Sequence, residues 1–209
     1  MHNSLTPAQT REMLNAVSQR IVNSVDLLTT VDQAIGDGDH GVGMRRGFAA
    51  VLEQMETQPE TVEATFKAAG TAIMAKAGGA AGAVFGTLFR SGSAAFAGRG
   101  NLDAEGLAGF LQQGLKAVEG RGGSRPGMKT MLDALAPAAS VAAATCQQGL
   151  PATARAAAAA AIAGVEATKS MIATTGKART LGERSLGHPD PGAVSMSLIL
   201  QAMLDYIAA

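Results

Sequence analysis

Three aspartates within eight residues offer the clearest chemistry in this chain. The run Asp32-Gln33-Ala34-Ile35-Gly36-Asp37-Gly38-Asp39-His40-Gly41 spaces its carboxylates by five and then two positions. Carboxylates brought this close repel one another and raise each other's pKa unless a cation lies between them. An all-oxygen donor set suits Mg²⁺, Ca²⁺ or Mn²⁺ better than zinc. The spacing resembles part of an EF-hand, but the ligand at the twelfth loop position is missing. Aspartate and glycine also build ordinary turns; the third carboxylate weighs towards metal.

Three further glycine-rich or charged segments could serve an anion. Gly78-Gly79-Ala80-Ala81-Gly82 precedes an apolar helix, so N–H groups without bulky neighbours would face outward at a helix start. Glycines at a close helix crossing would read the same way. Pro126 to Met131 could set Met131 against a base, although core packing is the usual fate of methionine. Lys177, Arg179 and Arg184 bring positive charge to a late loop, which His188-Pro189-Asp190-Pro191-Gly192 closes before the last helix.

The elements that must position these groups read as helices throughout. Thr6-Pro7-Ala8-Gln9 is a helix start with threonine cap, early proline and glutamine three residues on. That helix is expected to run towards Ile35, with Asn23-Ser24 as a point for a kink. A second carries Phe48, Val51, Leu52 and Met55 on one face. Pro59 is expected to open a third, through Phe66 and Ile73, and a fourth carries Val84, Phe85, Leu88 and Phe89. Asp103 caps a fifth, a sixth holds Met131, Leu132 and Leu135, and Pro151 begins a seventh ending near Gly176. Asp190-Pro191 repeats the cap-then-proline pattern before the eighth. Short connections favour an all-α fold of eight antiparallel helices in an up-and-down bundle, one domain over residues 1–209. The loops at 36–43, 78–82, 120–130 and 176–192 each follow an odd number of helices, so they should meet at one end.

The composition narrows the function. Seventeen basic residues balance 17 acidic ones, which argues against nucleic acid or an anionic membrane as partner. Cys146 is the only cysteine, so no intrachain disulfide forms, and it is expected to be a buried structural thiol. No basic stretch followed by an apolar run opens the chain, and Ala156 to Gly164 is far shorter than the roughly 20 residues of a membrane span. A cytoplasmic setting is the expectation.

Taken together, the segments resemble the L subunit, the nucleotide-binding domain, of dihydroxyacetone kinases. The resemblance lies in Ile35 to Gly41, Gly78-Gly79-Ala80 with Gly86-Thr87, Lys129-Thr130-Met131, and Leu181 to Ser185 through Gly187 to Gly192, in the family's order over nearly the whole chain. It implies an eight-helix barrel capped at one end by ADP or ATP. Asp32, Asp37 and Asp39 would hold two Mg²⁺ ions and so carry the catalysis. His40, Gly41, Val42 and Gly43 would line the phosphate region. Gly79, Ala80 and Ala81 would form the phosphate-binding helix start, and Gly122 and Met131 would flank the adenine. Lys177 with Asp190, Pro191 and Gly192 would complete the pocket. The family usually has serine at 81 and aspartate at 128, and often arginine at 177; here alanine, methionine and lysine stand there. The implied partner is a K subunit that holds dihydroxyacetone, or another short ketose such as a tetrulose. The donor would be ATP, or a phosphotransferase-system phosphocarrier protein recharging bound ADP. A nucleotide-sensing regulatory subunit, without catalysis, is the alternative that the resemblance also permits.

Overall fold

The computed structural model describes residues 1–209 and contains nine α-helices joined by short turns and three 3-10 segments. They are α1 (Pro7–Asn23), α2 (Val25–Ile35), α3 (His40–Met55), α4 (Val62–Lys76), α5 (Gly79–Gly92), α6 (Ala104–Gly122), α7 (Leu132–Thr145), α8 (Leu150–Thr168) and α9 (Pro191–Ala208). The 3-10 segments cover Ser93–Phe96, Cys146–Gln148 and Lys177–Ser185. A single two-residue bridge, Leu5 to Leu102, is the only β-type pairing.

Contacts between neighbours close a ring. Helix α1 packs on α3, each helix from α3 to α8 packs on the next, and α9 returns to α1. Eight helices therefore form the ring, and α2 lies outside it against α3, α9 and the segment 177–185. The extra helix arises at Ser24, where the expected long first helix breaks. Ser24 Oγ donates to the Arg20 carbonyl at 2.8 Å, and its N–H donates to Ile21, so the α-helical ladder stops.

Four starts are fixed by side chains. Thr6 and Gln9 form a reciprocal capping box, and Asp103 accepts from Gly106 N at 2.7 Å. Asp190 accepts from Ala193 N at 2.8 Å, with Pro191 in the first turn of α9. The expected start at Pro59 is displaced: Thr61 caps α4 by accepting from Ala64 N at 3.0 Å. A serine or threonine oxygen satisfies an orphan N–H, which proline cannot do. Helix α8 ends at Thr168, well before Gly176. The reason lies at a distance: Lys129 Nζ donates to the Thr168 carbonyl, and Gly187 N donates to the Lys169 carbonyl.

The core has two textures. All six phenylalanines are fully buried, and Phe66, Phe89, Phe96 and Phe110 interlock with ring centroids 4.7–6.1 Å apart. Each such side chain contributes about 2–3 kcal/mol by leaving water. On the other side α7 and α8 meet through Ala134, Ala138, Ala142, Ala154, Ala157 and Ala161, all buried, so their axes can lie close. Gly164 is the tightest point, where a Cβ would lie 2.2 Å from the Asp133 carbonyl oxygen. Pro137, inside α7, leaves that same carbonyl without its usual i+4 donor. Cys146, expected to be buried, is half-buried, with Sγ donating to the Ala143 carbonyl. By length and composition α9 alone could cross a bilayer, but Met196, Ile199, Leu200, Met203 and Ile207 are spent on the core.

Candidate functional site

The four loops do meet. The ends of α2, α4 and α6, the starts of α3, α5, α7 and α9, and residues 175–178 enclose one cavity of about 520 Å³. It is lined by Asp32, Asp37, Asp39, His40, Gly43, Gly79, Ala80, Ala81, Gly122, Met131, Lys177, Asp190, Pro191 and Gly192. Gly41 and Val42 are the exceptions. Gly41 is buried against α2, where a Cβ would meet Thr29 Oγ1 at 2.3 Å, and Val42 is exposed outside the cavity lining. On a helix, residues one and two positions beyond His40 turn to other faces, so the stretch could not line the cavity continuously.

The carboxylates form one group. Asp32, Asp37 and Asp39 each present an oxygen within 4.8 Å of the others. Asp32 is buried and accepts from the His40 N–H at 3.2 Å, at the first turn of α3. Gly36 makes room for it, because a Cβ there would lie 2.3 Å from Asp32 Oδ1. Gly38 turns the loop with φ +79°, a conformation that favours glycine. Asp37 and Asp39 are exposed, and the Lys177 ammonium bridges them, at 3.1 Å from Asp39 Oδ2. Its hydrogen bond to Asp37 lowers that carboxyl's pKa and raises its own. A donor set made only of carboxylate oxygens fits Mg²⁺, whose opposite ligands stand roughly 4.2 Å apart.

His40 links α3 to α9. Burial pushes its pKa down against the pull of Asp32 and Asp39, and Nε2 lies 2.8 Å from Ser195 Oγ on α9. Beside it, Gly78 and Gly79 have φ of +74° and +54°, and α5 begins without any capping side chain. The N–H groups of Gly79, Ala80 and Ala81 therefore start the helix free to face an anion. Val84, Phe85, Val118, Met131 and Leu132 give the cavity an apolar part.

The DAK2 domain matches residues 34–205. The chain belongs to the DAK2 domain family. A Listeria innocua relative, named ADP-binding subunit DhaL of PEP-dependent dihydroxyacetone kinase 1, is 41% identical over 91% of this chain and 92% of its own. The Escherichia coli ADP-binding subunit DhaL is 34% identical, over 96% and 97%. The crystal structure of the dihydroxyacetone kinase from C. freundii in complex with AMP-PNP and Mg²⁺ shares the fold, with a TM-score of 0.74 at 23% identity. That match covers 98% of this chain and 35% of the larger one.

Among the residues lining this DAK2 domain's cavity, Arg46 was not singled out by the sequence, and Lys129 was read only as part of a motif. Arg46 reaches the cavity from α3, two turns beyond Asp39, and its Nη2 donates to the Ala77 carbonyl at 3.1 Å. Lys129 is buried, with φ +61°, and Nζ donates to the carbonyls of Thr168 and His188. Burial lowers its pKa, while Asp190 and Asp133 pull it upward. Asp133 accepts from Gly127 N and Thr130 N at 2.5 and 2.7 Å, which shapes the turn carrying Lys129 and Met131. The Lys129-Thr130-Met131 block held the signal, but nothing local marks the lysine's partners. Of the departures, Ala81 lines the cavity, whereas Met128 takes Arg125 N on Sδ in the adjoining turn.

Proposed function

We propose that this chain is the nucleotide- and Mg²⁺-binding subunit of a dihydroxyacetone-type kinase, passing a phosphoryl group to dihydroxyacetone or a similar short ketose held on a separate K subunit. One observation carries the reading: three carboxylates within 4.8 Å share a cavity with an uncapped helix start. Asp32, Asp37 and Asp39 would hold two Mg²⁺ ions, which when bound neutralise charge on the phosphate oxygens. Gly79, Ala80 and Ala81 would offer N–H groups to those oxygens, and His40 and Gly43 line the cavity beside them. Gly122 and Met131 flank the adenine, while Asp190, Pro191 and Gly192 close the wall. Lys177 supplies a point charge near the phosphates, without the fork an arginine would give.

With the sugar held on the separate K subunit, the chain is expected to be inactive alone. Relatives matched over more than nine-tenths of both chains carry PEP-dependent or PTS-dependent names, which supports ADP as a resident cofactor recharged by a phosphocarrier protein. Gentle denaturation of the purified protein, followed by mass spectrometry and metal analysis, tests this. Released ADP with magnesium is expected. An empty protein that binds ATP would shift the donor to ATP, and one that binds neither nucleotide would overturn the proposal.

A further inference from the structure

Three cationic side chains line the cavity, and two are already engaged. Lys177 is paired with Asp37 and Asp39, and the Lys129 ammonium is buried against two backbone carbonyls. Arg46 has no carboxylate partner. One of its nitrogens donates to the Ala77 carbonyl, which leaves most of the five N–H donors of a guanidinium unused.

Its position is fixed from both sides. His40, Gly43 and Arg46 recur every third residue along α3, and all three line the cavity. Gly43 and Gly47 let α3 lie against the end of α4: added Cβ atoms would meet the Ala77 carbonyl oxygen at 3.1 Å and Ala77 Cβ at 2.8 Å. Arg46 Nη2 then stands 3.5 Å from where a Cβ on Gly78 would lie, beside the start of α5. The guanidinium thus stands beside the start of α5, whose Gly79, Ala80 and Ala81 line the same cavity as the three aspartates.

Resting on the nucleotide role proposed above, we infer that Arg46 reads the terminal phosphate of bound ADP, its free N–H groups holding the oxygens seated on the α5 start. A planar fork suits phosphate, and its bond to Ala77 pre-orients it. The bond to Ala77 also ties the reader to the peptide that leads into the Gly78 turn.

Titration of wild-type protein, Arg46→Lys and Arg46→Gln with ADP and with AMP, all at saturating Mg²⁺, tests the assignment. Losing a charge-assisted contact should weaken ADP roughly 10- to 100-fold in Arg46→Gln. AMP, which lacks the terminal phosphate, should change by less than about threefold. Arg46→Lys should recover part of the ADP loss. Equal losses for ADP and AMP would show that Arg46 only props the Ala77 turn, and no loss for either would also overturn the inference. Failure of the wild-type protein to bind ADP would instead remove the nucleotide role itself, and Arg46's role with it.

Discussion

Replacing Gly36 by alanine should weaken Mg²⁺ and ADP binding at the proposed site while leaving the fold standing. Gly36 has φ −142°, which any residue can adopt, so the backbone sets no penalty. The cost falls on Asp32, whose Oδ1 would lie 2.3 Å from the new Cβ. Ordinary carbon–oxygen contact begins near 3.4 Å, so the carboxylate must retreat by about 1 Å. Retreat also breaks its bond to the His40 N–H. That loss costs about 1.5–3 kcal/mol, and the stiffer unfolded chain returns about 0.4–1. A net change of about 1–2 kcal/mol lowers the melting temperature by roughly 2–8 °C for a chain of this size. Binding should suffer far more, since a 1 Å misplacement can cost about 100-fold. With Mg²⁺ and ADP at 100 times the wild-type Kd, wild-type protein gains about 2.7 kcal/mol, whereas the variant would gain about 0.4. Thermal melts with and without ligand, alongside calorimetric titration, read both quantities. A Gly36→Ala protein with undiminished ligand-induced stabilisation would refute the placement of Asp32 in the metal group.

Other perturbations probe separate parts of the molecule. Asp37→Asn should reduce turnover with the K subunit by roughly 10²–10³-fold while preserving docking; retained turnover in a coupled assay would favour a sensor over an enzyme. Asp190, pushed up to about 7 mainly by burial, holds a proton in the folded state that the unfolded chain releases near 3.8. The native state therefore binds more protons across that window, and stability falls as pH rises from about 4 to about 7. Asp190→Asn keeps a capping oxygen, so urea midpoints from pH 5 to 8 should show it losing less stability than wild type over this range. Gly164→Ala forces a Cβ onto the backbone of Asp133 and Ala134, at 2.2 and 2.8 Å, and should cost at least about 1–3 kcal/mol in urea denaturation. Its nucleotide affinity should drop as well, because Asp133 shapes the turn before Met131.

What was legible in the sequence was local. The aspartate spacing, the capping box at Thr6 and Gln9, the cap at Asp103, and the cap-and-proline step at Asp190-Pro191 are each written within a few residues and appear as read. Parity of helix number brought the four loops to one end, and the break at Ser24 leaves that parity intact because α2 stands outside the ring.

Only the tertiary structure decided which long side chains meet which backbone. Lys129 crosses to the end of α8, Arg46 to the end of α4, and Lys177 to the aspartates, over separations of 31 to 140 residues. It also decided that Gly41 serves a helix crossing while Gly43 faces the cavity, two residues apart. Short-range periodicity gives a residue its face and its cap, because those depend on neighbours within one or two turns. The partner of a buried charge depends on how helices are packed, and a flexible side chain carries no mark of it beforehand.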